Sequence, residues 1–565
     1  MPRVLPLLTA GLLSMALAAC AGQGNETMPP AAHAPEQDII VSAQRAAPGD
    51  QARALHAEPR AAFAPPPPPP APMIATERPW PPAYQDVGRD KFANKEQNRF
   101  QQVKEQPVST FSIDVDTASY AFVRASLSRN VLPQPAAVRP EEMINYFPYD
   151  YARPQSAAQP FTSNIAVFPS PWTAGRKLVR IGIRGYAVQQ ATRPHANLVF
   201  LIDTSGSMNA PDKLPLLKRS LSMLVDRLDA NDHVAIVTYA GSAGTVLEPT
   251  PASARQKIVA ALDRLDAGGS TAGAEGIRQA YALAAAHFDP KGVNRVMLAT
   301  DGDFNVGITD TEELKGYIER QRDKGIFLSV LGFGMGNYND ALMQALAQNG
   351  NGAAAYIDTI GEARKALVEE ASATLFPIAK DVKIQVEFNP ATVAEYRLVG
   401  YETRMLARED FDNDRVDAGD VGSGQTVTAL YEIVPVGGPR ALPDLRYAVR
   451  GVGKPAATAT SANEYGFLKI RYKAPKSERS QLISTPISRA SEVARFADAP
   501  QDARFATGVA AFAELLRGGR YGGTMGYDDV LRIATGARGT DDYGYRSEFI
   551  QLVRAAKTAS AIAAL

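Results

Sequence analysis

The stretch that decides the fold is residues 197–208, NLVFLIDTSGSM. Its first half, 198–202, is a continuous apolar run, which is typical of a strand buried on both faces of a parallel sheet. The run ends at Asp203, and the hydroxyls of Ser205 and Ser207 follow at alternate positions. In open α/β sheets, ligand sites lie just beyond the carboxyl ends of strands. The pattern therefore predicts three oxygen ligands of the kind that hard cations such as magnesium prefer.

This D-x-S-x-S pattern resembles the metal-ion-dependent adhesion site of von Willebrand factor type A (VWA) domains. That family pattern adds a threonine on a later loop and an aspartate after a later buried strand. Thr271, in the segment Gly-Gly-Ser-Thr, fits the first position, and Asp301, which follows the run 295–300, fits the second. The alternative is a serine-rich turn in which Asp203 and Ser205 cap a helix. The resemblance implies the metal-ligand set Asp203, Ser205, Ser207, Thr271 and Asp301.

The resemblance also implies a function. The cation is expected to be magnesium, with manganese or calcium as alternatives. Too few protein charges reach the ion to saturate it, so a protein partner's Asp or Glu carboxylate could fill an open position. Such binding would be lost on chelation. The sequence therefore favours a metal-dependent protein-binding module for adhesion or assembly.

Composition and motifs argue against nucleic-acid binding and against enzymatic activity. Lys plus Arg and Asp plus Glu number 60 each, so no net field favours nucleic acid. The five histidines are scattered and form no zinc-protease motif, and no nucleophile elbow occurs. We therefore expect no enzymatic activity, no catalytic residue and no small-molecule substrate.

The first twenty residues have the pattern of an export signal. Arg3 precedes a mostly apolar run, and the segment ends in Leu-Ala-Ala-Cys, which resembles the bacterial lipobox. The resemblance implies that lipid is attached to Cys20, the only cysteine of the chain, after cleavage. Ala21 at the next position favours the outer over the inner membrane by the same resemblance. An ordinary secretory peptide with a chance cysteine is the alternative.

The predicted fold class is α/β, with a doubly wound, mostly parallel sheet. An N-terminal α+β region precedes this sheet, and a β-sandwich with helices follows it. The six-proline run 65–70 indicates a stiff, extended spacer within the tether. No other stretch is long and apolar enough to span a bilayer, so membrane attachment is expected through lipid only. The predicted segments are a signal peptide (1–19), a tether (20–90), an α+β region (91–194), the VWA domain (195–374), a β-rich domain (375–487) and a helical region (488–565).

The flanking regions leave further alternatives open. Both resemble blocks found in bacterial lipoproteins often labelled calcium-activated chloride channel homologues, so an accessory subunit of a membrane channel or transporter is an alternative function. A metal-dependent hydrolase is a third. The acidic segment 410–420 could bind calcium, but it lacks the EF-hand glycine and closing glutamate, which favours a solvated loop. Asp116 is expected to cap the helix that follows it.

Overall fold

The computed structural model describes residues 90–113, 116–189, 193–240, 242–269, 273–302, 311–336, 338–443 and 463–563. The predicted signal peptide, Cys20 and residues 20–89 of the predicted tether lie outside these ranges. The predictions on these segments therefore stay predictions. None of the helices within the described ranges combines the length and the apolar character that crossing a bilayer requires.

The described strands and helices are numbered here in chain order. The strands are β1 (Gln101–Gln102), β2 (Val108–Ser112), β3 (Phe161–Pro169), β4 (Lys177–Gly185), β5 (Ala196–Asp203), β6 (His233–Tyr239), β7 (Ala243–Pro251), β8 (Val293–Thr300), β9 (Ile326–Phe333), β10 (Ala354–Ile357), β11 (Pro377–Phe388), β12 (Val393–Val399), β13 (Gly419–Gly422), β14 (Thr426–Pro435), β15 (Glu464–Lys473) and β16 (Ser480–Ser488). The α-helices are α1 (Ala118–Leu127), α2 (Pro140–Asn145), α3 (Leu214–Val225), α4 (Arg255–Asp263), α5 (Gly273–Ala286), α6 (Thr311–Arg322), α7 (Asp340–Asn349), α8 (Ile360–Arg364), α9 (Ala371–Leu375), α10 (Gln501–Leu516), α11 (Tyr527–Gly536) and α12 (Tyr545–Ala563).

The central sheet has the order β10-β9-β8-β5-β6-β7, and all its pairs are parallel except that of β6 with β7. All eight residues of β5 are buried. Leu198 and Phe200 belong to the core on the α3 side, whereas Val199 and Leu201 belong to the core on the α5 side. Apolar residues therefore fill both faces of β5, as its unbroken apolar run predicts, and the doubly wound α/β fold class is confirmed.

Two antiparallel sheets form a β-sandwich beside the α/β domain. Their orders are β1-β12-β14-β4-β3 and β13-β11-β15-β16, and β2 also pairs with β11. Strand β4 pairs with β14 in a register that places Ile181 opposite Ala429. The regions 91–194 and 375–487, which the sequence predicts as separate, thus contribute strands to the same sheets. The α/β domain is inserted between β4 and β11.

The C-terminal helices form a second apolar core with the helices before the α/β domain. Phe147 packs edge-to-face on Phe505 of α10 and on Phe549 of α12.

Asp116 does not cap α1, because its carboxylate accepts the N–H of Ala354 at 2.9 Å and pairs with Arg404 at 2.8 Å. The predicted cap is therefore wrong, and Asp116 instead links α1 to the start of β10.

The acidic segment 410–420 is held by arginines. Asp412 and Asp414 pair with Arg471 at 3.2 and 3.0 Å, and Asp417 pairs with Arg322 at 3.0 Å. Among the described residues, no group of three or more His, Cys, Asp or Glu side chains is arranged to hold a metal ion. This disfavours a calcium site in the segment, whereas the predicted solvated loop is right only in part, because Asp420 lies on β13 and is half-buried.

Candidate metal centre

The two aspartates of the predicted ligand set lie on the same edge of the central sheet. Asp203 is the last residue of β5, and Asp301 directly follows β8. These strands are parallel neighbours, with Ile202 opposite Ala299. Both carboxylates are buried, with 0% and 1% exposure. The strand register therefore brings together two charges that are far apart in the sequence.

The two serines follow β5 on a short loop. Ser205 Oγ and Ser207 Oγ form a hydrogen bond of 3.0 Å with each other. Neighbouring oxygens of an octahedral magnesium site, with metal–oxygen distances of about 2.1 Å, are separated by about 3.0 Å. Ser205 precedes the helical turn Gly206–Asn209, yet its side chain makes no capping hydrogen bond there. This geometry favours a loop that presents ligands over the helix-capping alternative.

Asp203 is oriented by three donors. The N–H of Ser205 donates to Oδ1 at 2.9 Å, while the hydroxyls of Tyr239 and Thr300 donate to Oδ2 at 3.3 and 3.2 Å. Burial raises the pKa of the Asp203 carboxyl, hydrogen bonds from Ser205 oppose this, and the nearby Asp301 carboxylate raises it further. A divalent cation beside Asp203 would compensate for the cost of burying its charge.

The loop that carries Thr271 is tied to the serine loop just before that residue. The N–H of Gly268 donates to the carbonyl of Thr204 at 2.8 Å, and the N–H of Gly206 donates to the carbonyl of Gly269 at 3.2 Å. Thr271 itself lies outside the described residues. These two backbone hydrogen bonds hold Gly268 and Gly269, which precede the predicted threonine ligand, beside the loop that carries the serines.

Three further residues at this edge were not predicted from the sequence. Lys213, just before α3, donates from Nζ to Asp301 Oδ2 at 2.8 Å. Tyr239 and Thr300 bond Asp203 as described above. Thr300 and Tyr239 are the last residues of β8 and β6, the strands that flank β5. A hydroxyl at the end of a predicted strand could therefore have indicated both from the sequence. Lys213 carries no such signal, because lysines before helices are usually exposed.

The donor set fits a hard cation. Asp203, Asp301, Ser205 and Ser207 supply oxygen only, and this is the chemistry that magnesium, manganese and calcium prefer. Ser205 is buried, whereas Ser207 is exposed, so the site faces solvent on one side. A cation held there would be reachable by a group on another molecule.

Comparisons with known proteins agree with this architecture. Family models match at residues 86–180 ("von Willebrand factor"), 197–370 ("von Willebrand factor type A domain") and 373–559 ("Uncharacterized protein YfbK, C-terminal"). A protein of Escherichia coli (strain K12), "Uncharacterized protein YfbK", is 43% identical over 476 residues, which cover 83% of this chain and 81% of that protein.

Two solved structures are also similar. "von Willebrand factor type A from Catenulispora acidiphila" is 15% identical with a TM-score of 0.41, covering 72% of this chain and 91% of that one. Proximal thread matrix protein 1 from the mussel byssus, "with zinc occupied MIDAS motif", is 22% identical with a TM-score of 0.27. The match covers 32% of this chain and 46% of that one. VWA domains are often metal-dependent protein-interaction modules. The chain belongs to the family of the Escherichia coli protein YfbK and carries a VWA domain.

Proposed function

We propose that this protein binds a protein partner through a divalent cation held at the carboxyl edge of its central sheet. The ligands are Asp203, Ser205, Ser207, Thr271 and Asp301, and the cation is magnesium, with manganese or calcium as alternatives. When bound, the cation supplies an open coordination position for an Asp or Glu carboxylate of the partner. In this proposal the ion bridges two proteins, and the chain catalyses no reaction.

The grouping of two serine hydroxyls beside two buried carboxylates carries the proposal. The hydroxyls are hydrogen-bonded to each other at 3.0 Å, and the carboxylates lie at the ends of neighbouring strands. A turn that served only to start a helix would direct Ser205 Oγ to a backbone N–H, and no such bond forms here. The arrangement instead groups oxygens as a cation requires, on a side that is open to solvent.

We further propose that the chain is anchored in a bacterial envelope through lipid on Cys20, with the outer membrane favoured. The support is the Leu-Ala-Ala-Cys segment at the end of the apolar run. A tether of some seventy residues, with its extended proline run, would then separate the anchor from the folded part. Metabolic labelling with a radioactive or clickable fatty acid tests this, and Cys20→Ser is expected to abolish the label.

Direct metal binding is the first test of the cation site. The wild-type protein is expected to bind one Mn²⁺ in equilibrium dialysis, with Mg²⁺ competing. Asp203→Ala is expected to lose this binding. Asp263→Ala is the matched control, because Asp263 is an exposed carboxylate at the end of α4 that belongs to no ligand position.

Partner capture is the second test. The immobilised wild-type protein is incubated with envelope extract in Mg²⁺ or in a chelator, beside both variants. We expect a set of proteins that is retained in Mg²⁺ by wild type and Asp263→Ala, and released by chelator or by Asp203→Ala. If Asp203→Ala captures the same proteins as wild type, the proposed mechanism is wrong.

A further inference from the structure

Lys213 belongs to none of the patterns that predict the metal site, yet it is built into that site. Its Nζ donates to Asp301 Oδ2 at 2.8 Å. Lys213 exposes 9% of its surface and Asp301 exposes 1%. A buried ammonium group loses its hydration, so it is retained where an opposite charge compensates for that loss. The ion pair is therefore a fixed part of the site rather than a surface contact.

The protein holds the lysine stem in place. A Cβ at Gly334 would lie 2.3 Å from Cε and 2.7 Å from Cγ of Lys213, so the stem occupies the space that a side chain at 334 would need. Gly334 has φ of +70°, a conformation that favours glycine. Its carbonyl accepts the hydroxyl of Tyr356 at 2.9 Å. The stem of Lys213 therefore packs directly against the backbone at Gly334, beside its ion pair with Asp301.

The net charge of the site can be counted from its charged side chains. Asp203 and Asp301 contribute two negative charges, and Lys213 contributes one positive charge. A bound divalent cation would leave the group with a net positive charge, whereas without Lys213 the group would be neutral. A like charge weakens cation binding, and a net positive charge attracts an incoming carboxylate.

We propose that Lys213 sets this balance, weakening binding of the divalent cation and strengthening capture of a carboxylate on the bound ion. The inference rests on the proposed function and names a residue that tunes its site. Lys213 acts as a positioning residue, because it works through Asp301 and through its charge. A partner would then be selected for an acidic side chain at the point of contact.

The test compares full-length wild type with Lys213→Met, which keeps the length of the stem and removes the charge. Mn²⁺ affinity is measured by isothermal titration calorimetry, and acetate affinity by the change in the Mn²⁺ electron paramagnetic resonance signal. We expect Lys213→Met to bind Mn²⁺ roughly tenfold tighter and acetate on the loaded protein roughly tenfold more weakly. Lys213→Arg keeps the charge, so both affinities are expected to lie closer to those of wild type than to those of Lys213→Met.

Lys257→Met is the matched control, because Lys257 is an exposed lysine on α4. It is expected to leave both affinities unchanged. Lys213→Gln removes the charge but keeps a donor for Asp301, and it replaces the Met variant if that variant fails to fold. If wild type binds Mn²⁺ and neither neutral variant binds it more tightly, this inference is wrong while the proposed function stands. If wild type binds no Mn²⁺, both are wrong.

Discussion

Arg124 of α1 and Glu362 of α8 form an ion pair of 2.7 Å in which both side chains are buried. The same guanidinium donates to the hydroxyl of Tyr146 at 2.9 Å and pairs with the carboxylate of Asp358. A helix that precedes the α/β domain in the chain is thereby joined to the last helices of that domain. The pair is a structural link between regions that the sequence predicts as separate.

Removing this guanidinium is expected to destabilise the protein strongly. Arg124→Leu leaves Asp358 and Glu362 as buried carboxylates without their main counter-charge, which costs about 3–5 kcal/mol in the free energy of unfolding. Urea denaturation followed by circular dichroism measures the change. Arg99→Leu is the control, because Arg99 pairs with Glu96 on the exposed surface and its loss is expected to have no measurable effect. Equal effects of the two variants would contradict the prediction.

Cation binding is expected to raise thermal stability. A ligand that binds only the folded state at about 100 times its dissociation constant adds about 2.7 kcal/mol to the free energy of unfolding. Wild type should therefore melt at a higher temperature in Mg²⁺ than in chelator, and Ser205→Ala combined with Ser207→Ala should show no such difference. Ser222→Ala on α3 is the control and should keep the full shift, since its hydroxyl bonds the carbonyl of Lys218.

Titration of Asp420 on β13 is expected to make the free energy of unfolding depend on pH. Burial, followed by the nearby Asp381 and Asp417 carboxylates, raises its pKa to about 8. An aspartate in the unfolded chain has a pKa of about 3.9, so the folded state holds an extra proton between these two pKa values. The free energy of unfolding should therefore fall as pH rises from about 4 to about 8.

The variant Asp420→Asn removes this titration. We expect it to reduce the pH dependence, of which a part remains because burial also raises the pKa of Asp417, to about 7. We also expect it to exceed wild type by roughly 1–2 kcal/mol above about pH 8. Urea denaturation across this pH range measures both slopes. Asp542→Asn, at an exposed position in the loop before α12, should leave the wild-type slope intact. A wild-type slope in the Asp420→Asn protein would show that another group causes the dependence.

A close backbone contact joins the α/β domain to the sandwich. A Cβ at Gly422 would lie 1.7 Å from the carbonyl oxygen of Ala373, so any side chain there forces β13 away from α9. Gly422→Ala is expected to destabilise the protein by roughly 2–4 kcal/mol, measured as a fall in melting temperature. A Cβ at Gly244 meets no atom within 4 Å, so Gly244→Ala should change little. Similar melting temperatures for the two variants would contradict this prediction.

The α/β domain and the positions of its aspartates follow from the sequence because their signals are local. Strand β5 contains the unbroken apolar run 198–202, which ends at Asp203, and β8 contains the apolar run 296–299, which Thr300 and Asp301 follow. The resemblance to VWA domains then implies that Asp203 and Asp301 share an edge, and the parallel register of β5 and β8 places both at the same edge.

The sandwich and Lys213 could not be predicted in the same way. Strands β4 and β14 pair across the whole inserted α/β domain, and no local pattern specifies a partner that distant. No sequence pattern marks Lys213 as part of the site, and only its ion pair with Asp301 and its close packing against Gly334 reveal it. The local sequence predicts that Asp116 caps α1, but its carboxylate instead accepts the N–H of Ala354 and pairs with Arg404, both distant in sequence.

The insertion between β4 and β11 has a mechanical consequence. The chain enters the α/β domain from β4 in one sheet of the sandwich and leaves it into β11 in the other sheet. The domain is therefore connected to the sandwich at two points. A pulling force applied at the carboxyl edge of the central sheet would be divided between both layers of the sandwich. Two attachment points restrict rotation of the α/β domain relative to the sandwich more than a single hinge would.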